Sequence, residues 1–219
     1  MSLIVIYRGG EVRQSSLDFN EQDQSKLQLT TAPLTLVEGY LTVSQQQALL
    51  TEAETYPFSR PSIKVYGKSH IIPRSQVWFG DEGCDYLYSG LFIRALPWPK
   101  YAMRLRDKLA RDWGLNSNGV LVNCYQNGQQ SMGWHSDDEA EIAPKSDIAS
   151  ITLGASRAFH MRHKQTKEKI EIVLNSGDLL IMHWPMQDDW EHSVPKRMGV
   201  SQSRLNYTYR ELIPRFHQL

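Results

Sequence analysis

Residues 204–210 read Arg204-Leu205-Asn206-Tyr207-Thr208-Tyr209-Arg210 and are the most regular stretch of the 219-residue chain. Polar and apolar side chains alternate along it, and successive side chains of a β-strand point to opposite faces. In a strand, the two arginines therefore share one face with the asparagine and the threonine, while the leucine and both tyrosines share the other. Two arginines on one buried face are costly unless they meet anions. The stretch predicts a sheet and, on one side of it, a site for negative charge.

Further short runs of strand character precede this stretch, separated by turn sequences such as Asn127-Gly128 and Asn175-Ser176-Gly177-Asp178. After Gly114 the predicted strands are 120–125, 148–153, 158–163, 170–174, 179–182 and 204–212. Many short strands at even spacing are typical of a β-sandwich or barrel. The sequence therefore predicts a mainly β fold of the α+β type, with its β core in the C-terminal two thirds.

The N-terminal part adds a strand that begins at Leu34 and two helices. The capping-box pattern of Ser44-Gln45-Gln46-Gln47 predicts a first helix that begins there and runs to about Glu54. Pro99 near a first turn and Gly114 as a stop signal delimit the second helix.

The chain, at 25.2 kDa, is long enough for one domain with a full core. We expect a partly flexible N-terminal arm over residues 1–31 and a single domain over residues 32–219. No apolar run approaches the roughly 18 residues of a membrane span, and the first residues lack a secretion-signal pattern, so we expect no membrane association. Two cysteines, Cys84 and Cys124, cannot build a disulfide framework, which favours a reducing, intracellular compartment.

The net charge is zero but unevenly distributed. Residues 1–55 carry −4, residues 56–134 carry +5 and residues 135–219 carry −1. A neutral chain is not an obvious nucleic-acid binder, because phosphate neutralisation needs a basic surface. The middle segment and the basic run 162–169 are candidate surfaces of that kind, although charge alone fits an ordinary solvated face equally well.

His135-Ser136-Asp137 places an imidazole and a carboxylate on the same side of an extended segment. A metal needs a further ligand, and with no spare thiolates a histidine from a later strand completes the set. We choose His192, which lies 57 residues on, at the start of a strand-like run. Two histidines and one carboxylate with open positions opposite form the facial triad of non-haem Fe(II) oxygenases. Alone, a His-x-Asp pair fits a turn cap as well, so the interpretation needs support from elsewhere.

The arginine strand supplies that support. Arg204 and Arg210 are planar forks suited to carboxylates, and about 20 Å of strand between them fits one fork on a dicarboxylate and the other at the charges of a metal site. Asn123 and Tyr125 share a face ten residues upstream of His135 and add hydrogen-bonding groups for the same dicarboxylate. Without the metal motif, a solvent-facing polar stripe would be the simpler interpretation.

The order Asn123-x-Tyr125, His135-x-Asp137, His192 and Arg204-x-Asn206-x-Thr208-x-Arg210 resembles the AlkB family of Fe(II)/2-oxoglutarate-dependent dioxygenases, over about residues 66–213. The resemblance implies a double-stranded β-helix, or jelly roll, with N-terminal helices, a nucleotide-recognition lid at about 60–95 and a core at about 118–213. It implies Fe(II), held by His135, Asp137 and His192, and 2-oxoglutarate as co-substrate.

The same resemblance assigns roles to the 2-oxoglutarate residues. Arg204 would pair with the distal carboxylate, helped by Tyr125 and Thr208, while Arg210 and Asn123 would hold the end that chelates the metal. The implied set is Asn123, Tyr125, Arg204, Asn206, Thr208 and Arg210.

Residues 72–74, 78–81 and 86–90 resemble the lid of the branch that repairs alkylated DNA. A flipped base needs stacking on both faces and a polar group at its edge. The resemblance gives stacking to Tyr88 and the ring of His135, and edge reading to Tyr86, Asp138 and Glu139. The implied substrate set is Tyr66, Gly67, Lys68, Arg74, Tyr86, Leu87, Tyr88, Asp138 and Glu139. Core tyrosines and a solvated acidic turn are the ordinary alternatives.

Val65-Tyr66-Gly67-Lys68 resembles the finger with which double-strand-repairing members enter the duplex. An aromatic residue on a glycine turn can fill the gap left by a flipped base, with Lys68 on a phosphate. The run 162–169, on a predicted hairpin, would grip the backbone. The remaining histidines have no partner at ligand spacing and are expected to be structural or surface residues: His70, His160, His163, His183 and His217.

The resemblance implies oxidative demethylation of N-alkylated bases such as 1-methyladenine and 3-methylcytosine in DNA, with release of formaldehyde, succinate and CO2. An RNA demethylase or a protein hydroxylase on the same fold, and a non-catalytic reader of alkylated nucleic acid, are the alternatives. The expected partner is alkylated DNA, single- or double-stranded, with RNA as the other polymer considered. We expect a monomer, cytoplasmic if bacterial and nuclear if eukaryotic.

Overall fold

The computed structural model describes residues 5–8, 32–65, 68–88 and 90–218. The strands are β1 (Val5–Arg8), β2 (Leu34–Glu38), β3 (Ser62–Val65), β4 (Lys68–Ile71), β5 (Ser75–Gly80), β6 (Tyr86–Tyr88), β7 (Leu91–Ile93), β8 (Gly119–Tyr125), β9 (Met132–His135), β10 (Ile148–Gly154), β11 (Arg157–His163), β12 (Lys169–Leu174), β13 (Leu179–Met182), β14 (Trp190–Val194) and β15 (Arg204–Arg210). The helices are α1 (Val43–Ala53), α2 (Lys100–Trp113), α3 (Met186–Asp189) and a terminal 3₁₀ turn, Phe216–Gln218.

Two sheets face each other. The larger has the order β1-β2-β13-β10-β15-β8-β5, and the smaller has the order β12-β11-β14-β9. Adjacent strands are antiparallel except for the parallel pair β1 and β2. Leu180 and Met182 of the larger sheet share a buried cluster with Phe159 and Met161 of the smaller. The mainly β, jelly-roll prediction is confirmed.

The two longer helices cover the outer face of the larger sheet. Leu49 of α1 and Leu105 of α2 are buried in one cluster with Tyr207 and Tyr209 of β15. The Tyr209 hydroxyl also donates to the carbonyl of Ala102 in α2, at 2.8 Å. The alternation of β15 thus divides the strand between two layers, with its apolar face under the helices and its polar face toward the space between the sheets.

The first helix is capped by Thr42, and the predicted start at Ser44 is wrong. Thr42 is extended, with φ −63° and ψ 159°, and its hydroxyl accepts the backbone N–H of Gln45, while the Gln45 side chain accepts the backbone N–H of Thr42. A capping residue needs this non-helical backbone, and Ser44 already lies inside α1. The second helix is as predicted, with Pro99 at its N-cap and Gly114 at its C-cap in the left-handed region, at φ 69°.

The six predicted strands after Gly114 are confirmed, each end within two residues. β5, β9 and two hairpins were not predicted from the sequence. We call β3–β4, residues 62–71, the finger hairpin and β6–β7, residues 86–93, the lid hairpin. Every residue of β5 is buried, so no polar face signals its period, and the remaining strands are only three or four residues long.

The predicted arm contributes one strand, β1, which pairs with β2; residues 9–31 lie outside the described ranges. The division into an arm over residues 1–31 and a single domain over 32–219 stays a prediction. In the described ranges, no helix is long and apolar enough to cross a membrane.

Candidate active site

Three metal-ligating side chains meet between the sheets. His135 ends β9, His192 lies directly opposite it on β14, and Asp137 follows two residues after β9. One ligand atom from each lies within 4.8 Å of the others. The Asp137 oxygens lie 3.7 Å from His135 Nε2 and 4.0 Å from His192 Nε2. The structure therefore brings together the set that the sequence predicted, in a shape that can hold a divalent metal.

Neighbouring groups orient this cluster. His135 Nδ1 lies 2.9 Å from the carbonyl oxygen of Gly133. Because that oxygen can only accept, Nδ1 carries the proton and Nε2 keeps its lone pair toward the cluster. The backbone N–H of Asp137 donates to Gln187 Oε1 at 2.9 Å, which fixes the segment after β9 against α3.

The electrostatics favour the metal-binding protonation states. Burial lowers the pKa of His135, and burial and the neighbouring His135 lower the pKa of His192 to about 3. Burial alone would raise the pKa of Asp137, but Arg210 and the two histidines outweigh it and lower that pKa to about 2. At neutral pH the cluster is one carboxylate and two neutral imidazoles, the forms that bind a metal.

Arg210 is bound to the cluster itself. Its guanidinium is buried, and Nη2 donates to Asp137 Oδ1 at 2.7 Å. The Asp137 charge overcomes the effect of burial and raises the pKa of Arg210. Its carbon Cζ lies 5.1 Å from the centre of the Tyr86 ring, so Arg210 joins the metal cluster to the lid hairpin.

Arg204, at the other end of β15, meets no carboxylate among the described residues. It is 1% exposed, and Nη2 donates to Thr152 Oγ1 and Asn206 Oδ1 at 2.9 and 3.0 Å. Nε and Nη1 are buried and make no hydrogen bond in the described part of the chain. Its carbon Cζ lies 5.4 Å from the ring centre of Tyr125. A buried guanidinium with two unused donors fits a carboxylate of a small ligand.

The other predicted 2-oxoglutarate residues line a cavity between the sheets that also holds the metal cluster. Asn206 Nδ2 donates to Ser150 Oγ at 2.9 Å, and Asn123 Oδ1 accepts from Arg74 Nε at 2.6 Å. The cavity is lined by Arg74, Asn123, Tyr125, His135, Asp137, Ser150, His192, Asn206, Thr208 and Arg210, with apolar neighbours.

Two features of this cavity were missed. Ser150 and Thr152 of β10 bond the β15 side chains, and their signal was two hydroxyl residues, two apart, in the otherwise apolar run 148–153. Arg74, predicted for the substrate side, is buried beside Asn123 on the cavity that also holds the metal cluster. The Arg74–Asn123 contact joins the residue before β5 to β8, 49 residues apart, so no local sequence pattern signals it.

Two acidic side chains, Asp138 and Glu139, follow Asp137 in the chain, and Glu139 contacts the lid hairpin. Tyr86 is fully buried, stacks on Trp78 with ring centres 4.7 Å apart, and donates a hydrogen bond to Glu139 Oε1. Burial raises the pKa of Glu139. Asp138 is exposed and lines a neighbouring cavity with Glu139.

Glu141 is a further acid that the sequence analysis missed. It is 2% exposed and accepts the backbone N–H of Leu87 at 2.6 Å, in the middle of the lid strand. Its side chain also lies 3.4 Å from His217 Nε2, so the C-terminal turn supports the lid hairpin.

Other predicted substrate residues lie partly or wholly outside the described residues. Leu87 is exposed on β6, and Tyr88 follows it with its side chain outside the described part. Tyr66 and Gly67 lie outside the described residues, and Lys68 is described only as the first residue of β4.

Comparison with known proteins identifies the family of the chain. Residues 33–210 match the family described as the 2OG-Fe(II) oxygenase superfamily. The mouse protein named DNA oxidative demethylase ALKBH2 is 40% identical over 171 residues, covering 74% of this chain and 72% of the mouse protein. The chain belongs to the AlkB family of 2OG-Fe(II) oxygenases. As a member of this family it is a dioxygenase that uses Fe(II) and 2-oxoglutarate, and the His135–Asp137–His192 cluster fits that metal.

Other AlkB-family relatives agree. Human DNA oxidative demethylase ALKBH2 is 38% identical over 175 residues, covering 76% of this chain and 67% of the human protein. Human alpha-ketoglutarate-dependent dioxygenase alkB homolog 3 is 35% identical over 152 residues, covering 65% of this chain and 52% of that protein. The solved structure of OsALKBH1 superposes with a TM-score of 0.57 at 16% identity, over 84% of this chain and all of that chain, which shows a shared fold.

Proposed function

We propose that this AlkB-family protein removes alkyl groups oxidatively from N-alkylated bases in DNA, such as 1-methyladenine and 3-methylcytosine. The observation that carries the proposal is the pair of carboxyl groups, Asp138 and Glu139, directly after Asp137 in the chain. Both line a cavity beside the metal cluster, and Glu139 accepts a hydrogen bond from Tyr86 of the lid hairpin. An alkylated ring nitrogen makes these bases cationic, and carboxylates favour a cation nearby. The mouse and human relatives named DNA oxidative demethylase ALKBH2 support oxidative demethylation of DNA.

The metal residues take the predicted roles in this proposal. His135, Asp137 and His192 hold Fe(II), and Arg210 keeps Asp137 ionised through its 2.7 Å contact. When bound, Fe(II) with 2-oxoglutarate and O2 hydroxylates the N-methyl carbon, giving succinate and CO2, and loss of formaldehyde restores the base. The chain's own contribution is to orient the reactants and to keep the carboxylate and imidazoles in their binding forms.

The arginines orient 2-oxoglutarate. Arg204 pairs with the distal carboxylate through its unused Nε and Nη1 donors, next to Tyr125, whose ring centre lies 5.4 Å from Arg204 Cζ. Tyr125 and Thr208 line the cavity. Arg210 and Asn123 lie toward the chelating end. Asn206 holds the Arg204 fork in place by accepting from Nη2.

The substrate residues contact the flipped base. Tyr88 and the ring of His135 stack on its faces, and Tyr86, Glu139 and Asp138 read its edge. Arg74 and Leu87 act beside this position, and Tyr66, Gly67 and Lys68 enter a duplex. The turn between β11 and β12 contacts phosphates through Lys167 and Lys169, because Arg162 is already paired with Glu191 at 2.6 Å.

The test is direct detection of the products. Protein loaded anaerobically with Fe(II) is mixed with 2-oxoglutarate, O2 and an oligonucleotide carrying 1-methyladenine or 3-methylcytosine, in single- and double-stranded DNA and in RNA. We expect one formaldehyde and one restored base per succinate, with DNA preferred over RNA. If succinate is released but none of these polymers yields formaldehyde, the proposal is contradicted and the oxygenase has a different substrate.

Two variants of the metal residues and one surface control test the metal assignment. Asp137→Ala and His192→Ala should abolish both succinate and formaldehyde, whereas Gln47→Leu on the exposed face of α1 should leave both unchanged. Retention of turnover by either metal variant would refute the metal assignment. Binding of alkylated DNA by iron-free protein, without turnover in the loaded form, would instead identify a reader.

The proposal also includes a monomer in an intracellular compartment. Both cysteines are free thiols, which is the usual state in reducing compartments. Gel filtration of the protein alone and with DNA tests the monomer.

A further inference from the structure

A further cavity, separate from the two described above, lies between the lid hairpin and the segment that precedes the finger hairpin. Its volume is about 220 Å³, below the roughly 300–1,000 Å³ of sites for drug-sized ligands, so it suits a fragment such as one base. The walls are mainly apolar, from Pro57 and Pro61 on one side and Leu91 and Ile93 of β7 on the other. The metal residues do not line it, so a base bound there is not the reacting base.

Gln76 of β5 lines this cavity and has an unusual side chain. It is 2% exposed, and neither its amide nitrogen nor its amide oxygen makes a hydrogen bond in the described part of the chain. Its backbone is satisfied, because it exchanges two hydrogen bonds with Ser59 at 2.8 and 3.0 Å. Among the described residues, the side-chain amide is therefore the only polar group of Gln76 without a hydrogen-bond partner.

The alternation of β5 aims Gln76 toward the lid. Val77 and Phe79 face the core under the helices, so Gln76 and Trp78 lie on the opposite face. Trp78 on that face stacks on Tyr86 of the lid hairpin, and Gln76 lies opposite Asn123 of the active-site cavity in the β5–β8 register. Gln76 therefore lies on the sheet face on which Trp78 contacts the lid and Asn123 lines the metal cavity.

A buried amide without partners lowers the stability of the free protein. Leucine or methionine fills a similar volume without that penalty, so an unpaired glutamine here is explained best by a ligand that supplies the partners. Natural sequences break such local rules mainly at functional sites.

We propose that Gln76 reads the base next to the damaged nucleotide, and that this pocket is a second base subsite. The inference rests on the proposed function and deepens it. An amide offers one donor and one acceptor side by side, which match the N6 and N7 groups of adenine. Apolar walls suit the flat faces of a base, and Arg94, exposed on the rim, suits the adjoining phosphate. The protein accordingly prefers adenine beside the lesion.

The experiment measures kcat/KM on oligonucleotides that differ only in the base on each side of one 1-methyladenine. The wild-type protein should favour adenine on one side by about fivefold to tenfold. Gln76→Leu should reduce this preference to less than twofold and raise the KM for DNA by a similar factor, with the KM for 2-oxoglutarate unchanged. Its melting temperature should equal or exceed that of the wild type, because the unpaired amide is removed.

Gln76→Met serves as a second apolar variant, and Gln47→Leu is the matched control on an exposed helix face. A wild-type protein that demethylates every context equally would overturn the inference while leaving the proposed function intact, as would a Gln76→Met protein with unchanged preference. Absence of demethylation in every context would instead reject the proposed function.

Discussion

Arg204 and Arg210 lie on the same polar face of one strand, yet they meet different partners. Arg210 is neutralised by Asp137, so its charge is accounted for within the protein. Among the described residues Arg204 has only hydroxyl and amide acceptors, and burial lowers its pKa to about 10. The two residues thus differ in charge compensation and not in unused donors, because Nε and Nη1 of both guanidinium groups are buried and make no hydrogen bond in the described part of the chain.

The Arg204 fork is therefore the sharper test at this scale. Arg204→Lys keeps the positive charge but loses the planar pair of donors, so we expect the KM for 2-oxoglutarate to rise about 10- to 100-fold, the range of one or two charge-assisted hydrogen bonds. Succinate release against 2-oxoglutarate concentration measures it. Affinity for Fe(II) should stay within twofold of the wild type, and an unchanged KM would mean that the co-substrate does not reach Arg204.

The cap of α1 depends on backbone conformation as well as on the residue type: Thr42 caps the helix, and Ser44 does not. Thr42→Ala removes the side-chain acceptor of the Gln45 N–H and should lower the free energy of unfolding by about 1 kcal/mol. Ser44→Ala is the matched control and should cost less than half as much, because Ser44 lies inside the helix. Urea denaturation of both variants measures the difference, and equal losses would refute the assignment of the cap.

A second element-scale contact ties β10 to β13. Asp147, just before β10, accepts from the Trp184 backbone N–H at 3.0 Å and lies 2.7 Å from His183 Nδ1, just after β13. Burial alone would raise the pKa of Asp147, but the contacts with His183 and Trp184 outweigh it, and the pKa lies below its ordinary value of 3.8. An acid with a lowered folded pKa adds stability above its unfolded pKa and loses it as the pH falls through the folded value.

Asp147→Asn should therefore flatten part of the acid dependence of stability. In metal-free protein, the unfolding free energy of the wild type should fall more steeply than that of the variant as the pH drops from about 5 to 3. Urea denaturation at a series of pH values provides the slopes. Parallel curves for the two proteins would show that this carboxylate has the same pKa in the folded and unfolded states.

For the whole molecule, the net charge of zero does not show which cations are available to bind phosphates. The basic run 162–169 lies on the turn between β11 and β12, where Arg162 and Lys164 are used internally, the first by Glu191 and the second by the carbonyl of Gln187. Lys167 and Lys169 are exposed, and Lys167 Nζ also donates to the carbonyl of Lys164, at 2.5 Å. Fewer cations are therefore available to phosphates than the sequence count suggests.

The double variant Lys167→Ala with Lys169→Ala should weaken DNA binding about equally in every sequence context. The slope of log affinity against log salt concentration should become shallower by about 1 for each phosphate contact that is lost. Lys100→Ala, on the helical layer, is the control and should leave the slope unchanged. Fluorescence anisotropy between 50 and 200 mM salt covers the range in which such slopes are measured. An unchanged slope would exclude this turn from the DNA interface.

The local sequence determined the features that have a short period. Strict alternation in 204–210 predicted a strand with one polar and one apolar face, and both faces are buried as expected. The i, i+2 spacing of His135 and Asp137 predicted two groups on one side, and the structure brings them together with His192. The roles assigned to the individual site residues stay predictions.

Tertiary structure alone decided the contacts between distant strands. The pairing of Arg74 with Asn123, the support of Arg204 by Thr152, the hold of Glu141 on the lid strand and the unpaired amide of Gln76 each join segments far apart in the chain or depend on what such segments leave empty. Such contacts follow from strand register and sheet order, which arise when apolar faces are buried together and leave no periodic mark in the sequence. Side-chain alternation is a property of each strand by itself, whereas the partner of a buried polar group is a property of the whole packed core.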